Sequence, residues 1–412
     1  MPGMQQMRGK YRPPREKSCR PTSFCVAISG KEWYNKVIYY GVTMGIPILI
    51  QTEGSISMRT LVMEKAAIKH NLAVIKEKAG SAAIYGVLTG DGGGTGIVEL
   101  ARLLRAEGIG RFAVSEVAEA EALRKAGFVE EEILMLRATT DRETLDKLVD
   151  LNAVCTISSV DTGMALNALA ENRSTVVEAH IQVDTGMGFG GFLVSEPEKV
   201  LLAYRSLPNV ALSGIYTQIH SAKVNDPEGK VQLEQFQQVL DTIHTAGFET
   251  GVVHAAGSFA LLHDQAALLD GVRAGSAILG RCRRTRDDKL KTVGYGEVPL
   301  TEVRWLPKGH TIGADKPLTL KKPTRVAVIP VGYQNGFGLS WPRESGFFAL
   351  LRWWRGSRKR IVRIGDQRAR ILGPIGATET VLDVTNLKCS AGDLATFDID
   401  PMFAKGFARE FR

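Results

Sequence analysis

The stretch Ile84–Gly96, IYGVLTGDGGGTG, joins a short apolar run to a loop holding five glycines, and GIVELARLLRAEG takes over directly after it. In that second segment apolar residues recur at helical spacing and a glycine, Gly108, closes the pattern, so the whole reads as one strand–loop–helix unit. The same alternation repeats from Leu61 to about Gly280. Candidate strands are Ala83–Leu88, Arg111–Ser115, Ile133–Leu136, Ala153–Ser158, Glu178–Asp184, Leu212–Gln218, Val252–Gly257 and Gly271–Leu279. Eight parallel strands with helices between them are what a closed α/β barrel needs. After Val293 the helical periodicity stops, and short β-like runs (EVRWLPKGHTI, TRVAVIPVGY, RIVRIGD, ARILGPIG, DLATFDI) are separated by Gly, Pro and charged turns. The expected fold class is therefore α/β: a (β/α)8 TIM-type barrel followed by a mainly β C-terminal domain.

The expected domains are 1–57, a basic and apolar extension; 58–290, the barrel; and 291–412, the β domain. Met58 is a plausible start, since the sequence from it reads at once as a strand and an amphipathic helix. The extension carries eight of the basic residues within its first 36 positions against Glu16 and Glu32, which leaves roughly +2 of the formal +8 for everything after it. That is no basis for nucleic-acid binding. The uncharged run Val37–Gln51 is short for a membrane span and contains Pro47, so membrane association could come only through this extension. A second basic stretch near 346–362, with Trp353 and Trp354, reads most simply as a solvated insertion between strands. The five cysteines show no CxxC spacing, which argues against a metal site and for a reducing, cytoplasmic setting.

Several separated segments carry a resemblance to a known family: Ile84–Gly96, VDTGMG (Val183–Gly188), VVHAAGS (Val252–Ser258), VRAGSAILG (Val272–Gly280), Val293–Gly313, PVGYQNGFG (Pro330–Gly338) and Gly373–Thr385. From about Met58 to Arg412 the chain resembles the alanine racemase family, with its pyridoxal-phosphate barrel of fold type III. Its later part looks especially like the racemase domains associated with glycopeptide resistance. The resemblance implies interconversion of L- and D-amino acids, D-alanine among them, on pyridoxal phosphate. It also implies a head-to-tail homodimer, a lysine that holds the cofactor and works on one face of the substrate, and a tyrosine of the partner subunit that works on the other.

The departures fall on those working positions. Where the family reads VVKADAYGHG or VVKGDGYGLG this chain reads VLTGDGGGTG, so Thr89 stands at the lysine and Gly93 at a tyrosine that contacts the phosphate. In the β domain GAD replaces GYG and puts Ala314 at the second base. Phe189 stands at an arginine, Ala377 at a methionine, Gly257 at an asparagine, Gln182 at a lysine and Gln218 at a histidine, with His220 two residues on. Retained are Arg273, for the pyridine nitrogen, His254 behind it, and Ser258, Gly275 and Ser276 of the phosphate cup. The plain alternative for Arg273 is a barrel-end arginine paired with Asp270.

Three functions remain open on the sequence. One is a racemase-like protein whose activity is impaired or lost, with no covalent cofactor and room only for non-covalent binding. Another is an enzyme of different chemistry in the same barrel, drawing on Asp91, Asp184, His220, Lys223, His254 or Asp315, of which His220 and Asp315 are the leading alternatives. The third is a non-catalytic binder, a pseudoenzyme for a small amino acid or a phosphate-bearing ligand.

Overall fold

The computed structural model describes residues 59–220, 226–282, 289–313, 317–339 and 361–412. The extension 1–57, Lys223, Ala314, Asp315 and all but the last two residues of the basic Trp-containing stretch therefore lie outside the described residues.

Strand β1 (Thr60–Met63) leads into helix α1 (Lys65–Ala79). Then come β2 (Ala83–Val87), α2 (Ile97–Ala106), β3 (Arg111–Val114), α3 (Val117–Lys125), β4 (Glu132–Met135), α4 (Arg142–Asp150), β5 (Cys155–Ile157), α5 (Val160–Asn172) and β6 (Val177–Asp184). A short β7 (Phe192–Leu193), α6 (Pro197–Ser206), β8 (Val210–Thr217), α7 (Pro227–Thr245), β9 (Val252–Ala256), α8 (Ser258–His263) and β10 (Gly271–Ala274) complete this half. Eight of these strands run parallel in the order β4-β3-β2-β10-β9-β8-β6-β5. A bridge between Leu134 and Val154 closes the ring, through Met135 N donating to Val154 O (2.8 Å) and Val154 N to Ile133 O (2.9 Å).

All eight expected barrel strands are present. The last is shorter than expected and ends at Ala274, because the Gly275 and Ala277 amides turn away to a side chain and Ile278 N bonds back to Gly275 O. Helix α2 shows why the outer layer forms: Ile97, Leu100, Ala101 and Leu104 make one buried stripe, and burying each leucine is worth about 2 kcal/mol.

The second half is a nine-stranded sheet of β11 (Tyr295–Pro299), β12 (Glu302–Leu306), β15 (Thr324–Ile329), β16 (Ile361–Ile364), β17 (Gln367–Leu372), β18 (Thr380–Asp383), β19 (Leu394–Asp398), β20 (Ala408–Phe411) and β1. The pair β13 (Thr311–Ile312) and β14 (Leu318–Thr319) stands apart. Strand β1, expected as part of the barrel half, pairs instead antiparallel with β11 and parallel with β20. An apolar run this short specifies a strand but not its neighbour, and here the β domain supplies the open edge.

Between β2 and α2 the chain makes one turn of left-handed helix. Gly90, Asp91, Gly92 and Gly93 have φ of 66, 56, 66 and 64°, and Gly92 N donates to Leu88 O and Gly94 N to Gly90 O, both at 2.8 Å. A left-handed turn costs an L-residue about 1–2 kcal/mol, so glycine suits every position that nothing else stabilises. Asp91 is the exception and is the residue held by its side chain: Oδ1 accepts from Ile97 N (2.9 Å) and Oδ2 pairs with Arg409 of β20 (2.6 Å). At Gly94 (φ 86°) a Cβ would lie 2.1 Å from Pro401 O, so the turn and the β domain touch through backbone.

Two alanine substitutions separate these effects. Gly90→Ala, in open space at φ 66°, is expected to cost about 1–2 kcal/mol. Gly94→Ala must also push the Pro401 segment away and is expected to cost clearly more, as read from urea unfolding midpoints; equal losses would show that the backbone contact contributes nothing.

Candidate active site

The C-terminal mouth of the barrel gathers the ends of β2, β8, β9 and β10. Thr89 is half-buried at the head of the left-handed turn, and Gly93 lies within it against Leu279. From β10, Arg273 points into the barrel and is 5% exposed. One of its terminal nitrogens donates to His254 Nδ1 (2.6 Å) and His254 O (3.2 Å). The other donates to Thr217 O (2.6 Å), Gln218 Oε1 (2.8 Å) and Ala255 O (3.4 Å). Among the described residues no carboxylate pairs with it: Asp270, the alternative partner, accepts from Val253 N instead (3.0 Å). Burial lowers the guanidinium pKa to about 10, which leaves it charged at neutral pH. Its Nε–H makes no hydrogen bond among the described residues.

The donation from Arg273 makes His254 Nδ1 an acceptor and puts the ring proton on Nε2. That proton goes to His180 Nδ1 on β6, 3.0 Å away. His254 is sandwiched between Tyr85 (centroids 5.0 Å, 20°) and Tyr216 (4.9 Å, 17°), and Tyr216 bonds Thr156 Oγ1 at 3.1 Å. Gly214 gives the His180 ring its space, since a Cβ there would stand 2.5 Å from Nε2. Burial, with the Arg273 charge nearby, holds both imidazoles neutral: His180 falls to about 4 and His254 lies well below its ordinary value.

At the rim, Ser258 Oγ accepts from Gly275 N (3.0 Å) and Ala277 N (3.1 Å), while Ser276 is exposed. Asp184 orients its loop, accepting from the amides of Gly186, Met187 and Gly188 at 2.8–3.1 Å. Phe189 on that loop is 77% exposed. His220 faces Asp226 beyond the end of β8. Ala377 is half-buried in the β domain, where its carbonyl accepts from Gln334 N (3.0 Å).

The family model "Alanine racemase, N-terminal domain" matches residues 63–282, and "Alanine racemase, C-terminal domain" matches 295–400. The chain belongs to the alanine racemase family. It is 31% identical over 278 residues to the alanine racemase of Carboxydothermus hydrogenoformans, covering 66% of this chain and 74% of that one. Its fold is similar to that of the alanine racemase of Clostridium difficile 630 (TM-score 0.71, 21% identity, 82% of this chain and 86% of that one). It is likewise similar to the Bartonella henselae alanine racemase, a structure described as having covalently bound pyridoxal phosphate (TM-score 0.71, 20% identity, 86% and 99%).

As an alanine racemase family member, the chain brings Arg273, His254, Ser258, Gly275 and Thr89 to one barrel mouth, whereas Ala377 lies in the other half of the molecule. One residue of the site was not singled out from sequence. His180 is one of four polar residues, Glu178, His180, Gln182 and Asp184, that alternate with apolar ones along β6, and that alternation onto one face is its signal.

The buried histidines set the response to acid. Between pH 6.5 and about 4 the unfolded chain binds protons at His180 and His254 that the native barrel refuses, so stability falls as pH falls, by about 1.4 kcal/mol per unit for each histidine. Urea unfolding at pH 7, 6 and 5 should show this slope, and His180→Gln should make it shallower by about one proton. An unchanged slope in the variant would contradict the neutral pair.

Proposed function

We propose that this alanine racemase family member holds a phosphorylated pyridine of the pyridoxal phosphate kind without a covalent bond, and that it does not interconvert alanine enantiomers by the two-base route. The observation that carries the reading is Thr89 at the head of the left-handed turn, where the resemblance implies lysine. A threonine hydroxyl neither bonds covalently to an aldehyde as an amine does nor takes up a proton at neutral pH.

The donor set fits such a ligand in part. Arg273 is pinned through both terminal nitrogens, leaving Nε–H as the donor for a pyridine nitrogen, and the Ser258 and Ser276 hydroxyls at the rim are donors for a phosphate, the Gly275 amide being given to Ser258 Oγ. When bound, the cofactor supplies an electron sink that acidifies the Cα–H of an amino acid. Racemisation then needs an acid/base on each face, and Thr89 with Ala314 at the two family positions offers neither. Phe189, Gly93 and Ala377 in place of arginine, tyrosine and methionine accord with a wider, less polar cavity. The same reading takes the protein as a cytoplasmic homodimer with a small amino acid or phosphate-bearing ligand. Among the described residues no helix is long and apolar enough to cross a membrane.

The chain as purified, freed of unbound cofactor and then reduced with borohydride, is expected to keep its unmodified mass, and it is expected to leave L-alanine unconverted by chiral analysis. A cofactor adduct on a lysine together with racemisation would overturn the reading. Thr89→Lys with Ala314→Tyr is expected to gain the adduct and to raise racemisation about a hundredfold or more, the size of contribution a positioned acid/base makes.

A further inference from the structure

Just past the barrel mouth, three side chains turn their ligating atoms toward one point. His220 follows β8, and Asp226 and Glu228 open α7. His220 Nδ1 lies 3.1 Å from Asp226 Oδ2 and 3.3 Å from Glu228 Oε2, and all three ligand atoms lie within 4.8 Å of one another. It is the one such grouping of His, Cys, Asp and Glu among the described residues.

The arrangement is held by its backbone. His220 N donates to Gln232 Oε1, and a Cβ at Gly229 would stand 2.5 Å from His220 O, so the histidine is seated against the first turns of α7 on both sides of its peptide. Asp226 keeps its Oδ1 on Glu228 N (3.3 Å) as the helix cap and aims Oδ2 at the imidazole. The Asp226 side chain is 8% exposed and the Glu228 side chain 77%, so the cluster has a fixed inner ligand and an outer one open to solvent.

We propose that His220, Asp226 and Glu228 bind one divalent cation of the zinc class at the barrel mouth. An imidazole nitrogen and two carboxylate oxygens brought within 4.8 Å of one another form a donor set that divalent metal ions take up. Ligands 2.0–2.1 Å from a tetrahedral Zn2+ stand roughly 3.3 Å apart, which is the spacing seen around His220 Nδ1. One imidazole nitrogen with two carboxylate oxygens suits Zn2+, Co2+ or Mn2+ better than Ca2+, which prefers six or more oxygens. Three protein ligands leave a position for water or a ligand group. Gln218, which holds Arg273, is two residues from His220. The inference rests on these side chains and is independent of how pyridoxal phosphate is held.

The absence of CxxC spacing argues against a cysteine site and says nothing of a His/carboxylate one.

The full chain, stripped with a chelator and dialysed, is titrated with Zn2+ by calorimetry and with Co2+ by visible absorbance, beside His220→Ala and Glu228→Gln. Neither variant removes the Asp226 cap, and circular dichroism checks that each is folded. The wild-type chain is expected to bind one more equivalent than the variants, or to bind it at least tenfold more tightly, with Co2+ d–d bands that both variants lose. Equal stoichiometry, affinity and Co2+ spectrum in all three proteins, or no Zn2+ bound by the wild type, would overturn the proposal.

Discussion

A guanidinium buried inside a closed barrel, with no carboxylate beside it among the described residues, has to find oxygen and nitrogen acceptors in the strands around it. For Arg273 these are Thr217, Gln218, His254 and Ala255, from the ends of β8 and β9. An unpaired charge there would cost several kcal/mol, so the register of three neighbouring strands is tied to one side chain. The same donation sets the tautomer of His254, which in turn sets the partner of His180 and leaves β8 room for nothing larger than glycine at 214. The barrel mouth thus keeps a rigid polar wall.

The two halves meet at the barrel mouth. Asp91 with Arg409, and Gly94 against Pro401, tie the left-handed turn to the β domain. Arg281 adds a second tie, donating to the carbonyls of Val293, Gly294 and Ile399 and to Asp398. These contacts are mostly to backbone oxygens, which makes them insensitive to side-chain exchange around the pocket.

Much of this was legible in the residues, for identifiable reasons. Eight barrel strands stand out because apolar runs alternate with amphipathic helices ended by glycine. The pairing of β1 was hidden, since a four-residue apolar run does not name a partner nearly the whole chain away. The glycine row of Gly90–Gly94 announced a loop, but its left-handed helical form depends on Asp91 being anchored by Ile97 N and Arg409. Ser258 stood out within VVHAAGS, while its hydrogen bonds to the Gly275 and Ala277 amides depend on β10 ending at Ala274. His180 gained its meaning only from His254, 74 residues further on.

The pairing of β1 with β20 also bears on how the protein is made. Thr60 lies opposite Ala408, so the first strand of the described chain emerges from the ribosome long before its neighbour exists. The barrel, whose eight strands are contiguous in sequence, can close while β1 waits with one edge open. Assembly of the β domain is then the late, high-contact-order event, and it is that event which brings Arg409 to Asp91 and completes the mouth of a barrel already formed.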